Sequence, residues 1–338
     1  CMEQKKKVTL SDIAKKLNVS TVTVSKAVSD KEGVGEDLRK QIKQLAEEMG
    51  YKTKSQTTEK TITGNIGIVI PSRFFSQSYS FYWYLFNYLS SELLNRNYYC
   101  IMELLTDEDE KNCNIPRMIL DKKIDGIILL GQTSTNYIEK LNSNFENFIL
   151  LDFYTNDTNI DSVINDNYHN SYLLTNYVIS QGHKKLQFVG DITATTSIKD
   201  RYMGFLKALI ENNIDYSNIS IISDRDKNGS SIPIELPLDN VPTAFICNND
   251  ETAAMVINEL EKNGFKVPDN ISVTGFDNYI SRNKSPVEIT TVYIKPENIA
   301  SVAADLILKK INGTPYVKGR HLVSGEILIK NSVKKITL

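Results

Sequence analysis

The chain has 338 residues, of which 24% are charged and 41% hydrophobic, and its formal net charge is −2. This is the composition of an ordinary water-soluble protein with length for two or three domains. No apolar run resembles a signal peptide or reaches the length of a membrane span, and the four cysteines and three histidines are scattered along the chain. The sequence therefore argues against a membrane protein, a disulfide framework and a metal site, and it predicts a cytoplasmic location.

Charge is unevenly distributed along the chain. Residues 1–60 contain 13 lysines and arginines against 9 acidic residues, whereas the remainder contains 26 against 32. A small basic module on a larger acidic body favours an interaction between the module and a polyanion. A solvated basic surface is the alternative explanation of the same balance.

The first predicted helix spans about residues 10–17. Thr9 and Asp12 have the spacing of a capping box at a helix start. Asn18 can adopt the left-handed conformation that ends a helix, and Val19 is expected to fill the turn. The apolar stripe recurs at i, i+3, i+4 and i+7, the pattern of one buried face, and consists of Leu10, Ile13, Ala14 and Leu17.

A second helix is expected over about residues 21–28, with Ser20 as its N-cap. Its β-branched residues and serines form helices poorly by intrinsic propensity, so the presence of these residues in a helix needs another explanation. The residues expected to face inward are Val24, Ala27 and Val28. The residues expected on the outer face are Thr21, Val22, Ser25, Lys26 and Ser29.

A third amphipathic helix is predicted over about residues 36–49, with Gly50 as its stop. Two short helices joined by a tight turn and followed by a supporting helix form a helix-turn-helix. The outer face of the second helix is small and polar because it must enter the major groove of DNA. A generic three-helix bundle is the alternative. The inward residues of the third helix are Leu38, Ile42, Leu45, Ala46 and Met49.

The segment VTLSDIAKKLNVSTVTVSKAVSDKEGVGEDLRKQIKQLAEEMGY, residues 8–51, resembles the DNA-binding domain of the LacI/GalR family of bacterial transcriptional regulators. The resemblance implies that Thr21, Val22 and Lys26 reach base edges. Lys26 would donate to guanine, and Val22 would contact a thymine methyl group. Phosphate contacts or caps are expected from the neighbouring hydroxyl side chains. The complete predicted DNA-binding set is Thr9, Ser20, Thr21, Val22, Thr23, Ser25, Lys26 and Ser29.

Residues 52–64, KTKSQTTEKTITG, are predicted to form a linker. Members of the family with a hinge helix carry an Asn, an Ala-Arg pair and a leucine that inserts into the minor groove at the operator centre. This segment has none of these and no apolar residue before Ile62. We therefore expect a degenerate hinge.

From Asn65 onwards, apolar runs of strand length alternate with helical segments, which predicts parallel sheets covered on both faces. The pattern suits two α/β subdomains better than one sheet. It again resembles the family, whose core is periplasmic-binding-protein-like, and the resemblance extends to SGEILIKNS near the end. The predicted strands are 66–71, 98–104, 125–131, 148–152, 162–166, 185–191, 219–223, 243–250 and 271–278. The predicted helices are about 81–95, 168–181, 200–212, 251–263 and 296–312.

The predicted fold class is therefore α/β, with an N-terminal three-helix helix-turn-helix domain followed by a two-subdomain periplasmic-binding-protein-like α/β core. The predicted domains are the DNA-binding domain 1–51, the linker 52–64 and the effector-binding and dimerisation core 65–338. Within the core, the resemblance implies three crossings between subdomains. The N-subdomain is predicted at about 65–164 and 292–320, and the C-subdomain at about 165–291 and 321–338.

Ligands of such folds bind where the carboxyl ends of the strands meet in a cleft. Polar residues directly after predicted strands, together with Arg201 at the start of a helix, are therefore candidate effector contacts. A strand-end Asp or Asn is often only a turn former or a cap, and Asp250 in particular could cap the helix that follows. The resemblance implies inducer contacts at Asp152, Arg201, Asn249 and Asp277. Aromatic residues near Phe74–Trp83 could stack on a sugar although their stripe is mainly helix core, and Phe75 and Tyr82 complete the predicted set.

No catalytic motif is recognisable in the sequence, so neither an enzyme nor a cofactor is expected. We expect a transcriptional regulator, most consistent with a repressor, that binds double-stranded operator DNA as a homodimer and senses a small polar ligand, with a sugar or sugar derivative as the favoured class. A small-ligand-binding protein whose DNA-binding module no longer functions is the alternative, and an enzyme of sugar or nucleoside metabolism on the same fold is a third class.

Overall fold

The computed structural model describes residues 8–29, 31–49, 51, 62–75, 80–217, 219–226, 229–279 and 284–337. The chain divides into two compact units, Cys1–Ile62 and Thr63–Leu338. The predicted linker lies almost wholly outside the described residues, as does the predicted helix stop at Gly50.

The first unit contains three helices, α1 (Leu10–Leu17), α2 (Thr21–Val28) and α3 (Glu36–Glu48). Asn18 ends α1 with φ 54° and ψ 42°, so the predicted left-handed turn between α1 and α2 is confirmed. The apolar stripes of the three helices meet in one small core, as the sequence pattern indicates. Its buried residues are Ile13, Ala14, Val24, Ala27, Ile42 and Ala46.

The second unit contains eleven strands and nine α-helices among the described residues. The strands are β1 (Asn65–Pro71), β2 (Tyr99–Leu105), β3 (Gly126–Leu130), β4 (Phe148–Leu151), β5 (Ser162–Asn165), β6 (Leu186–Val189), β7 (Ala244–Cys247), β8 (Ser272–Thr274), β9 (Thr291–Tyr293), β10 (Arg320–Val323) and β11 (Glu326–Leu328). The helices are α4 (Ser72–Phe75), α5 (Phe81–Asn95), α6 (Asp107–Lys111), α7 (Arg117–Leu120), α8 (Thr135–Asn144), α9 (Asn167–Ser180), α10 (Thr196–Glu211), α11 (Asp250–Lys262) and α12 (Pro296–Ile311).

Two parallel sheets form the frame of this unit. The first has six strands in the order β10-β5-β4-β3-β1-β2, and the second has three in the order β6-β7-β8. Strands β3, β4 and β7 are buried at every position, which is why their sequences are almost uninterrupted apolar runs. A short antiparallel pair, β9 with β11, completes the strands. The prediction of two parallel α/β subdomains is confirmed.

Some details differ from the sequence-based expectation. The predicted strand 219–223 is not a strand, because Ile222 makes only a single bridge with Val189. Helices α4, α6, α7 and α8 and strands β9 to β11 were not predicted, since each is short or lacks a continuous apolar run. Strand β10 pairs with β5 in the first sheet, so the chain stays in this sheet as far as Val323, close to the crossing expected near residue 320.

Helices α9 and α10 pack very closely in the second subdomain. A Cβ atom added to Gly204 would lie 2.1 Å from the carbonyl oxygen of Tyr168, so this position has no room for a side chain. The close packing fixes α10 on α9 and thereby places the buried side chain of Arg201. None of the described helices combines the length and the apolar character needed to cross a bilayer.

Candidate functional site

The outer face of α2 carries the side chains predicted to contact DNA. Val22 is 62% exposed, although it is an apolar residue, whereas Val24 on the opposite face is fully buried. The exposed residues of the helix and its C-cap are Thr21, Val22, Ser25, Lys26 and Ser29, as predicted. An exposed valine flanked by small polar side chains and a lysine suits contact with base edges and a thymine methyl group.

Three other predicted DNA-binding residues have a structural role at helix starts. The hydroxyl of Ser20 accepts a hydrogen bond from the backbone N–H of Thr23 at 3.0 Å and lies 2.8 Å from the Thr23 hydroxyl. The backbone N–H and the hydroxyl of Thr9 donate to the carboxylate of Asp12 at 2.8 and 2.7 Å. These bonds orient the starts of α1 and α2.

A cavity of about 390 Å³ lies between the two subdomains of the second unit. It is bordered by the segment around α4 and the start of α5 on one side, and by the carboxyl ends of the second sheet on the other. Parallel α/β folds bind ligands in this kind of cleft. The described lining residues are Arg73, Phe74, Ser80, Phe81, Tyr82, Asp224, Arg225, Gly229, Ser230, Ser231, Asn249, Glu251, Thr252, Met255, Asp277 and Tyr279.

Arg201 and Asp277 form a buried ion pair at the base of the cavity. One guanidinium nitrogen of Arg201 lies 2.9 Å from Asp277 Oδ1, and another lies 3.4 Å from Oδ2. Asp277 belongs to the cavity wall, whereas Arg201 lies behind it. Burial raises the pKa of Asp277, and the charge of Arg201 opposes this effect.

The Arg201 guanidinium also contacts groups other than Asp277. Its Nε donates to Asn167 Oδ1 at 2.8 Å, and one Nη donates to the carbonyl of Asn248 at 2.6 Å. The guanidinium carbon lies 3.8 Å from the centre of the Phe276 ring. Arg201 therefore ties together three chain segments that meet at the cavity.

Tyr82 and Asp152 form a second polar pair, in the first subdomain. Tyr82 lines the cavity, and its hydroxyl donates to Asp152 Oδ2 at 3.1 Å. Burial raises the pKa of Asp152 to about 7, with a lowering effect of Arg201 and a raising effect of Asp277. Burial also raises the pKa of Tyr82 well above its ordinary value, Asp152 adds to this, and Arg225 opposes it. The pair thus holds a carboxyl group that changes charge near neutral pH.

Asn249, not Asp250, caps the helix after β7. The Asn249 side-chain oxygen accepts from the backbone N–H of Thr252 at 2.8 Å, and α11 begins at Asp250. Asp250 is buried and accepts from the Thr291 hydroxyl at 3.0 Å and from the backbone N–H of Tyr279 at 2.9 Å. The alternative that Asp250 is a simple cap is therefore wrong, because its carboxylate instead links the segments of Tyr279 and Thr291.

The structure separates the six predicted effector residues into three groups. Tyr82, Asn249 and Asp277 line the cavity. Asp152 lies directly behind Tyr82, and Arg201 lies directly behind Asp277. Phe75 does not line the cavity, because its ring packs against Trp83 and the core of the first sheet. Its neighbour Phe74 takes that place and stacks on Tyr82 with ring centres 4.9 Å apart.

Sequence reasoning missed the ion pair of Asp224 with Arg225, whose nitrogen and oxygen atoms lie 2.7 Å apart. Asp224 follows the segment 219–223, so the rule that polar residues after a strand face the cleft would have found it. Arg73 was also missed, since it lies in a four-residue helix that the sequence did not predict. Its guanidinium lies 2.6 Å from Glu110. Within the described ranges, no three acidic, His or Cys side chains are placed to hold a metal ion.

Comparisons with known proteins agree with this architecture. Residues 9–54 match the model of bacterial regulatory proteins of the lacI family, and residues 175–333 match that of periplasmic binding protein-like domains. The chain is 28% identical over 343 residues to the HTH-type transcriptional repressor PurR of Histophilus somni (strain 129Pt), covering 97% of this chain and 99% of that relative.

Solved structures share the fold. The lac repressor dimer bound to operator and the anti-inducer ONPF superposes with a TM-score of 0.68 at 19% identity, covering 97% of this chain and all of that one. A LacI family transcriptional regulator from Enterococcus faecium with bound ribose superposes with a TM-score of 0.64 at 22% identity, covering 81% of this chain and 100% of that one.

The fold and the two sites together define a class: a DNA-binding transcriptional regulator with a ligand-binding core. Its DNA-binding module is a helix-turn-helix, and its core is periplasmic-binding-protein-like. The chain combines a lacI-family DNA-binding domain with a periplasmic binding protein-like domain.

Proposed function

We propose that the protein is a repressor that binds a pseudo-palindromic operator as a homodimer and responds to a small sugar or sugar derivative. The observation that carries the proposal is the cavity of about 390 Å³, where carboxylate, amide and guanidinium groups lie beside aromatic rings. Carboxylates and amides bind sugar hydroxyl groups, and aromatic rings stack on a sugar face. The ribose-bound relative from Enterococcus faecium supports a sugar as the ligand class.

The DNA-binding part of the proposal rests on the exposed face of α2. Thr21, Val22 and Lys26 are the proposed base contacts, and the serine and threonine hydroxyls beside them are proposed to contact phosphates or cap helices. Homodimerisation is proposed because two such helices are needed to read both half-sites of a palindrome. The operator-bound dimer of the lac repressor supports this arrangement.

Two measurements test the proposal. Selection from a random DNA library, followed by titration at increasing salt, should yield one palindromic site whose affinity falls steeply with salt concentration. Thermal unfolding in the presence of a carbohydrate panel should identify a sugar that raises the midpoint, because a ligand that binds only the folded state stabilises it. Absence of any selected sequence would instead support a ligand-binding protein without a working DNA module.

Replacement of Lys26 by alanine should weaken specific operator binding by about 1–3 kcal/mol and relax the preference at one base pair. The reason is that Lys26 is exposed on the outer face of α2, one turn into the helix. Competition binding against the selected site and its single-base variants would measure this. Lys40→Ala, an exposed lysine on α3, is the matched control and should leave the base preference unchanged. Equal weakening of all sequences by Lys26→Ala would make Lys26 a phosphate contact.

The operator is expected to be bent only slightly. Residues 52–61 contain only Thr, Lys, Ser, Gln and Glu, so this segment has no apolar side chain to insert between base steps. The core must then hold the dimer, and a ligand would act by changing the spacing of the DNA-binding modules. Half-sites should lie about 34–36 Å apart or at a multiple of that distance. Circular-permutation gel shifts test this, and a strong central kink would contradict it.

A further inference from the structure

Asp224 and Arg225 form an ion pair that is built into the wall of the cavity. The side chain of Asp224 is 3% exposed and that of Arg225 is 16% exposed. Arg225 donates to the carboxylate from Nε at 3.0 Å and from Nη2 at 2.7 Å, which is the bidentate geometry. A buried pair of this kind gives little net stability compared with apolar side chains of similar volume. Its position in the cavity wall therefore points to a role in binding.

The carboxylate of Asp224 is saturated with hydrogen bonds. In addition to the two bonds from Arg225, it accepts from the backbone N–H of Asp191, the amide of Asn248 and the hydroxyl of Thr252, all at 2.9 Å. These donors belong to three further chain segments, after β6, after β7 and within α11. Asp224 therefore cannot move without breaking five hydrogen bonds, and it holds the guanidinium plane of Arg225 in one orientation.

The pair carries no net charge. Burial raises the pKa of Asp224, but the hydrogen bonds and charge of Arg225 and the other donors bring it below the ordinary value. Asp224 thus stays ionised and compensates Arg225. Arg225 and Tyr82 line the same cavity from the two subdomains, and the charge of Arg225 opposes the rise in the pKa of Tyr82. A ligand between these side chains would meet a fixed donor whose positive charge is already balanced.

We propose that Arg225 is a specificity-determining contact of the effector cavity, that Asp224 positions it, and that the pair favours hydroxyl or carbonyl oxygens of an uncharged ligand over phosphate or carboxylate groups. The inference rests on the proposed function, in which the cavity binds a small sugar. An anionic group placed here would approach the Asp224 carboxylate and gain little from a guanidinium that this carboxylate already neutralises. A hydroxyl or carbonyl oxygen can accept from the remaining N–H groups of Arg225 without that repulsion.

The first test uses inorganic phosphate as the probe, titrated calorimetrically into the full chain. Asp224→Asn removes the compensating charge, so it should bind phosphate at least about tenfold more tightly than the wild type. The double variant with Arg225→Met should lose this gain. The proposal is overturned if the wild type binds phosphate and Arg225→Met abolishes that binding. It is also overturned if Asp224→Asn shows no gain, because the freed guanidinium would then not be accessible from the cavity.

The second test uses neutral monosaccharides and disaccharides, each paired with its phosphorylated form, in thermal-shift and calorimetric titrations. The neutral member of a pair should bind, and Arg225→Met should weaken it at least about tenfold. Arg225→Lys should not restore affinity, because an ammonium group cannot make the two parallel bonds to Asp224. Unchanged sugar affinity in both variants would overturn the role of Arg225. If no sugar binds the wild type, the proposed sugar function fails, whereas the phosphate titration still decides the inference.

Circular dichroism of each variant shows whether it is folded. Should Asp224→Asn fail to fold, Asn248→Ala replaces it, because this change removes only one of the five hydrogen bonds to Asp224 and Asn248 does not line the cavity. The positioning role then predicts a smaller loss of sugar affinity in the same direction as Arg225→Met. An Asn248→Ala variant with sugar affinity equal to that of the wild type would contradict the positioning role of Asp224.

Discussion

Replacement of Arg201 by alanine should lower the free energy of unfolding of the ligand-binding unit by about 3–5 kcal/mol, because it leaves the buried Asp277 carboxylate without its ionic partner. Asp277 is only 8% exposed, and Arg201 is 6% exposed. The change also removes the hydrogen bonds to Asn167 and Asn248 and the contact with the Phe276 ring. Urea unfolding monitored by circular dichroism measures the loss, and a carbohydrate that stabilises the wild type should no longer do so.

Arg117→Ala is the matched control for this prediction. The Arg117 side chain is 86% exposed and lies 3.6 Å from Asp121, one turn along the helix. Exposed pairs of this kind contribute little, so the control should change the unfolding free energy by less than about 1 kcal/mol. Equal and small effects of both substitutions would show that the Arg201–Asp277 pair does not hold the base of the cavity together.

Stability should fall as the pH rises from about 4 to 7, and Asp152→Asn should remove this part of the pH dependence. The pKa of Asp152 is raised to about 7 by burial, from an ordinary value of 3.8. Between these two pH values the folded state binds one proton more than the unfolded state, so unfolding becomes easier with rising pH. The slope is about 1.4 kcal/mol per pH unit, or about 4 kcal/mol over the whole window. Below pH 4 the contribution is fully present, and above pH 7 it is lost.

Urea unfolding of the wild type and of Asp152→Asn at pH 5 and pH 7.5 measures this contribution, because the other titrating groups are common to both proteins. As the pH rises from 5 to 7.5, the wild type should lose more unfolding free energy than Asp152→Asn loses. Tyr82→Phe is the companion variant. It removes a hydrogen bond that lowers the pKa of Asp152, so its pH dependence should persist and extend to higher pH. Parallel curves for wild type and Asp152→Asn would show that this carboxyl group is not buried in the folded state.

Local patterns predicted the first unit almost completely. Its core depends on helical stripes such as Ile13 with Ala14, and its turn depends on the ability of Asn18 to adopt a left-handed conformation. The parallel strands were equally clear, because strands that are buried on both faces need continuous apolar sequences. Strand β10 was missed, since it is an edge strand with exposed residues whose partner, β5, lies more than 150 positions earlier in the chain.

The candidate site was predictable only in part, because its residues come from distant chain segments. Position after a strand indicated Asn249 and Asp277, which line the cavity, and the resemblance to the family indicated Arg201, which lies behind it. The choice between Phe74 and Phe75 depends on which face of the short helix α4 turns to the cleft, and four residues contain too little periodicity to show it. Arg73 is recognisable only through Glu110, which is brought near it by the fold of the first sheet.

Because the chain crosses between the subdomains, the units of the protein fold in a fixed order during translation. Strand β10 closes one edge of the first sheet, and the backbone N–H groups of Val273 and Ile336 bind Ser332 and Gln181 in the second subdomain. Neither half of the ligand-binding unit can therefore finish folding until residues 320–336 have left the ribosome. The three-helix unit, whose contacts are local, can fold while the remainder is still being translated, so a nascent chain would acquire its DNA-reading surface long before its ability to sense a ligand.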